Sequence, residues 1–148
     1  MNIKQKKTVR VISDLVTFVI TSEETGGAYS LFQTQTPPQG GVPLHIEHKE
    51  EEAFLVLEGT YTFMHGEEQM ILGPGDSLVV QRGTPHSFMN SGNSMARMLI
   101  TTSPGGLHEQ FFNEVGVPVD EEPNGPPDLG KLVASAIKYG IEILPPPH

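Results

Sequence analysis

The chain has 148 residues, a formal net charge of −9, 36% apolar residues and no cysteine. That length suits one compact domain. The lack of cysteine excludes a disulfide framework and thiolate metal ligands, and the acidic balance disfavours nucleic acid, whose phosphates are bound by lysine and arginine.

No segment approaches the roughly 18 consecutive apolar residues of a membrane span. The basic start, Met1 to Lys7, leads into a stretch broken by Arg10 and Asp14, which makes a poor secretory leader. A cytoplasmic protein without membrane or nucleic-acid partners is expected. The 13 prolines and 16 glycines cluster at short intervals and punctuate the chain into short strands and tight turns.

In chain order, Asp14 to Thr21 reads as a strand and Ser22 to Gly27 as a turn. Ala28 to Thr34 follows as a strand with Tyr29, Leu31 and Gln33 on one face, ended by the Pro/Gly segment from Thr36 to Val42. Leu44 to His48 and Ala53 to Leu57 are the next strands, and Gly59 breaks the second. Thr60 to Met64 returns through a turn at His65 to Glu68 into Gln69 to Leu72. Leu78 to Gln81, His86 to Asn90 and Ala96 to Thr101 complete the series. About ten short strands within about 90 residues is the spacing of a sandwich or barrel.

Beyond Pro104 the pattern changes. Leu107 to Val115 carries Leu107, Phe111, Phe112 and Val115 at helical spacing. An acidic, proline-rich loop over Asp120 to Pro127 precedes a second helix, with Asp128 as N-cap, Tyr139 near its end and Gly140 as its stop. Ile141 to Leu144 reads as a short strand. The expected organisation is one all-β domain, with a core over about 12–103 and a helical tail over about 107–148 packed on it.

Side chains alternate across a strand. His45 and Glu47 therefore share one face of their strand, and His48 points the other way. Glu52 begins the next strand, on the face of Phe54 and Val56, while Glu50 and Glu51 fall in the turn and are expected to be solvated. His86 opens a strand just after the Arg82-Gly83-Thr84-Pro85 turn. His45, Glu47, Glu52 and His86 form a candidate site for a divalent first-row metal: imidazole suits Fe, Co, Ni, Cu and Zn, and carboxylate extends the range toward Mn. Glu47 is either a fourth ligand, a nearby base, or an acceptor for the N–H of a ligand histidine.

Two motifs carry a resemblance. Gly41-x3-His45-x-Glu47-x4-Glu52-x6-Gly59 resembles the first motif of the cupins, with Glu47 where that family usually has a second histidine. Gly75-x5-Gln81-x-Gly83-x2-His86-x3-Asn90 resembles the second, with Gln81 in place of the usual proline. The stretch from Pro43 to Gly59 and the segment Gly105 to Phe112 look most like the branch of quercetin dioxygenase-like proteins. The resemblance implies a double-stranded β-helix, a jelly-roll barrel that is often dimeric, with a metal held inside by residues at positions 45, 47, 52 and 86.

Tyr29, Phe54, Tyr61, Phe63, Phe88, Met98 and Ile100 have the character of interior lining. Tyr61, Phe88 and Met98 are the candidates for an apolar pocket beside the metal. His108 is placed within reach of the barrel mouth.

Three functions compete. The first is a metal-dependent dioxygenase acting on a small aromatic or enol-like molecule, with Fe, Mn, Ni or Co favoured over Zn or Cu and Glu47 as ligand or base. The second is a metal-assisted isomerase or lyase in which Glu47 moves a proton. The third is a non-enzymatic module that binds a small metabolite. A small-molecule ligand and a homodimer are the expected partners.

Overall fold

Apolar and polar residues alternate over short runs, and glycine or proline interrupts each run, so the chain folds almost entirely as strands. The computed structural model describes residues 6–121 and 125–145. The first part comprises β1 (Thr8–Val11), β2 (Asp14–Ile20), α1 (Ser22–Thr25), β3 (Ser30–Thr36), β4 (Gly41–Glu47), β5 (Glu51–Glu58), β6 (Tyr61–His65) and β7 (Glu68–Leu72). Then come β8 (Ser77–Val80), β9 (His86–Asn90), β10 (Ala96–Ser103), α2 (Leu107–Val115), β11 (Val117–Pro118), α3 (Leu129–Lys138) and β12 (Ile141–Ile143). Of the loop expected over 120–127, residues 122–124 lie outside the described residues. No helix among the described residues is long and apolar enough to cross a membrane.

The expected closed barrel is not what forms. The strands make two separate antiparallel sheets, one of seven strands in the order β11-β1-β2-β3-β10-β5-β8 and one of five in the order β12-β4-β9-β6-β7. Each keeps two edge strands, and no ladder joins the sheets among the described residues. Two strands not read from the sequence, β1 and β11, form one edge of the larger sheet. The inner faces pack on each other as in a sandwich, burying Phe54, Val56, Phe63, Phe88, Met98 and Ile100 between them.

β3 has the opposite phase to the one expected. Ser30, Phe32, Thr34 and Thr36 face inward, and Tyr29, expected as lining, is 38% exposed. Phe32 is the residue that decides this. It stands edge-on to Phe18 at 5.3 Å between ring centroids and to Phe112 of α2 at 5.0 Å. The tail helices match their expected positions, and the Asp128 carboxylate accepts a hydrogen bond from the Lys131 N–H as the N-cap of α3. α2, α3 and β12 enclose a second apolar cluster of Phe111, Leu132, Ala136 and Ile141. β12 then adds to the edge of β4, pairing Ile141 with Glu47 and Ile143 with His45.

The β1–β2 hairpin turns through Ile12, a β-branched residue held at φ +56°, a conformation such residues rarely adopt. It brings Asp14 into the interior at 3% exposure. Burial, opposed by a hydrogen bond from the Thr36 hydroxyl, pushes the Asp14 carboxyl from 3.8 up to about 7.

Two predictions follow from this packing. A Cβ on Gly41 would stand 2.0 Å from the Phe88 carbonyl oxygen on the neighbouring β9, whereas one on Gly83 would meet nothing within 4 Å. Gly41→Ala is therefore expected to lose about 2–3 kcal/mol of stability through overpacking, and Gly83→Ala only about 1 kcal/mol for its positive φ, as read by urea titration. For Asp14, a carboxyl raised on folding contributes fully below its unfolded value of 3.8 and loses that contribution as pH rises through about 7. Asp14→Asn removes this loss. Its stability relative to the wild type should improve by roughly 3 kcal/mol between about pH 4 and pH 9.

Candidate metal centre

Strand pairing assembles the site. β4 carries His45 and Glu47 and lies beside β9, which carries His86, while Glu52 reaches in from β5 of the opposite sheet. Val42 pairs with Phe88, but His45 rather than Leu44 pairs with His86. The extra residue is a β-bulge at Pro43–Leu44, and proline, which has no N–H to lose from the ladder, is at home there. The bulge sets His45 directly opposite His86, with ring centroids 4.3 Å apart.

Both imidazoles are oriented in the same way. His45 Nδ1 lies 2.8 Å from the Pro43 carbonyl oxygen, and His86 Nδ1 lies 2.9 Å from that of Thr84. A proton on each Nδ1 satisfies these carbonyls and leaves Nε2 with its lone pair directed into the cluster. There, His45 Nε2 is 2.7 Å from Glu47 Oε2, and His86 Nε2 is 3.0 Å from Glu47 Oε1 and 2.8 Å from Glu52 Oε1. One ligating atom from each of the four residues lies within 4.8 Å of all the others.

This arrangement fits a metal ion. Bonds of about 2.1 Å to nitrogen and oxygen put neighbouring ligand atoms about 3 Å apart, close to the separations observed. Both oxygens of Glu47 are buried without a properly formed hydrogen bond, and the residue is 2% exposed. Buried, unsatisfied carboxylate oxygens facing imidazole nitrogens call for a cation.

Without a metal the cluster shares protons instead. Burial and the Glu47 charge push Glu52 up to about 7. For Glu47, burial acts upward, but its close polar contacts with Glu52, His45 and His86 outweigh it and hold the carboxyl well below its ordinary range. Burial would lower His86, yet Glu47 and Glu52 raise it to about 10. A divalent ion would take over the charge balance that these protons supply.

His108 and Glu50 complete the surroundings. Glu50, expected in solvent, is 1% exposed because its carboxylate turns inward to meet His108 of α2, whose Nδ1 lies 2.9 Å from both its oxygens. His108 Nε2 lies 4.0 Å from Glu52 Oε2. Burial lowers the His108 pKa, but the Glu50 charge raises it further, to about 9. The only sequence signal for this pair was a histidine at the start of an amphipathic helix. His48 is exposed and pairs with Glu142 at 2.9 Å. Glu51 is half-buried in β5.

A cavity of about 90 Å³ between the sheets reaches the cluster and is lined by His45, Glu52, His108 and Phe88 among others. Tyr61 and Met98 are fully buried in the intersheet core. The Tyr61 hydroxyl donates to Thr36 Oγ1 at 3.0 Å.

Comparison with known proteins agrees with this architecture. Residues 32–102 match the cupin domain family. The chain is 28% identical over 102 residues to quercetin 2,3-dioxygenase of Bacillus subtilis, covering 69% of this chain but only 30% of that protein. It is 29% identical over 84 residues to an uncharacterized protein of Methanocaldococcus jannaschii, covering 57% of this chain and 67% of that one. Among solved structures, a predicted oxalate decarboxylase of Thermotoga maritima superposes with a TM-score of 0.64 at 20% identity, over 70% of this chain and 99% of that one. The polyketide cyclase RemF of Streptomyces resistomycificus gives 0.60 at 22% identity, over 70% and 79%. These structures share the fold. Together with the family match over just under half of the chain, they give this chain the fold of a small cupin, and the clustered His45, Glu47, Glu52 and His86 form a two-histidine, two-glutamate candidate metal site, with Glu47 where the first cupin motif usually has its second histidine.

Proposed function

We propose that this protein is a metal-dependent enzyme acting on a small oxygen-bearing molecule, and that its chemistry is proton transfer of the isomerase or lyase kind. The observation that carries this reading is the cluster of four ligating atoms within 4.8 Å, set beside a second buried ionisable pair, Glu50 and His108. His45, Glu47, Glu52 and His86 would hold a divalent first-row metal. Such a metal, when bound, polarises a carbonyl or enol oxygen and makes the adjacent C–H more acidic.

The chain's own residues supply the rest. The apolar cavity excludes water from the substrate. His108, fixed by Glu50 through Nδ1, presents Nε2 to that cavity and can hold or return a proton there. Ring-opening oxygenation is the second reading. Its support is the 28% identity to a quercetin dioxygenase, a protein of which this chain spans 30%.

The two readings separate by experiment. Metal-loaded protein is offered a panel of enolisable diketones, catechols and flavonols. Solvent hydrogen exchange at carbon is followed by NMR, and oxygen uptake by electrode. Exchange without oxygen uptake is expected. Oxygen uptake without exchange selects the dioxygenase, and neither signal with any compound counts against an enzyme.

Two sets of variants should behave differently. Glu52→Gln and His86→Ala are expected to lower metal content at limiting metal by roughly tenfold or more, as measured by elemental analysis of untagged protein. Glu47→His should change which metal is preferred. His108→Gln is expected to retain metal, to lower the melting temperature because buried Glu50 loses its cationic partner, and to slow carbon–hydrogen exchange on the order of 100-fold. Full exchange activity in that variant would remove His108 from the reaction.

A further inference from the structure

The cavity has a second polar end. Apart from His45, Glu52 and His108, its walls are almost wholly apolar, and the exceptions are Asp14, Thr34 and Thr102. These three are at most 3% exposed. Asp14 Oδ1, Thr34 Oγ1 and Thr102 Oγ1 are each buried without a well-formed hydrogen bond, the Tyr61 hydroxyl lying near Thr34. Unpartnered buried polar atoms are destabilising and rare. All three lie in the wall of one cavity.

Strand register spreads them along the larger sheet. Thr102 pairs with Glu52 on one side and Ser30 on the other, so it belongs to the metal end. Thr34 is four residues beyond Ser30 on β3, roughly 13 Å at the rise of a strand. Asp14 precedes Leu15, the partner of Gln35, and so sits at the Thr34 end. Val16, Phe32, Phe88 and Ile100 contribute apolar wall to the same cavity. The only basic side chains in the lining are His45 and His108, and His45 belongs to the metal cluster while His108 stands beside Glu52. Above about pH 7, where Asp14 is ionised, its carboxylate can only accept hydrogen bonds, so the missing partner there is a donor.

We propose that Asp14, with Thr34 beside it, is a specificity-determining subsite for a hydrogen-bond donor, a hydroxyl or an ammonium, at the far end of an elongated and otherwise apolar ligand whose near end carries oxygens for the metal. This rests on the metal reading of the His45–Glu47–Glu52–His86 cluster. It adds the requirement that the ligand have two polar ends separated by an apolar middle.

Matched catechols test it. Protein loaded with cobalt(II) and checked for metal content is titrated anaerobically, by calorimetry, with 4-ethylcatechol, 4-(2-hydroxyethyl)catechol and 4-(2-aminoethyl)catechol. All three offer the same pair of oxygens, and only the last two carry a distal donor. At least one donor-bearing compound is expected to bind about five- to tenfold more tightly than 4-ethylcatechol, and the two arms tell hydroxyl from ammonium. The preference should vanish in Asp14→Leu, and in Asp14→Ala should the larger residue prevent folding. It should weaken in Thr34→Val. Equal binding of all three by the wild type, a preference that survives loss of the carboxylate, or no catechol binding by cobalt-loaded protein would overturn the proposal. Failure to take up cobalt appears in the metal analysis before any titration. That result defeats the metal reading itself, and this subsite with it.

Discussion

Two imidazoles and two carboxylates packed within hydrogen-bonding distance inside an apolar sandwich are the constraint to which the rest of the structure conforms. Such a cluster is stable only if its charge is balanced and its rings cannot turn. Backbone carbonyls at Pro43 and Thr84 lock the rings, and the bulge at Pro43–Leu44 sets His45 opposite His86. Burial and the Glu47 charge then drive a proton onto Glu52, and the two carboxylates drive one onto His86 against the effect of burial. These protons occupy the role that a divalent ion is suited to fill.

Much of the site was legible because it obeys the simplest rule of strands. The period of two placed His45 and Glu47 together and turned His48 outward, and the turn before His86 gave that residue a defined entry. The bulge did not upset the reading, since it falls before His45 and leaves the alternation from 45 to 47 intact. Glu50 was misjudged for a clear reason. Its position in a turn says solvent, and only His108, brought over by α2 from a distant part of the chain, supplies the buried partner that draws it in.

The larger misreading concerned closure. Alternation tells which residues face inward but not whether the outermost strands meet. Thr8–Val11 is four residues long and ends in a tight turn with Ile12 rather than glycine at positive φ, so none of the usual hairpin signals announces β1. With β1 and β11 added, the larger sheet has seven strands and keeps its own edges. Tyr29 failed similarly: both phases of β3 offer apolar side chains, and the contacts of Phe32 with Phe18 and Phe112 settle which faces in.

The pairing of β12 on β4 reaches beyond architecture. Ile141 and Ile143 are hydrogen-bonded to the strand segment that bears Glu47 and His45, so tail docking and ligand geometry are two aspects of one equilibrium. Coupling of this kind is reciprocal. A detached tail would loosen the grip on an ion, and an ion held tightly would clamp the tail. One short strand from the tail thus helps to hold two of the four candidate ligands in register.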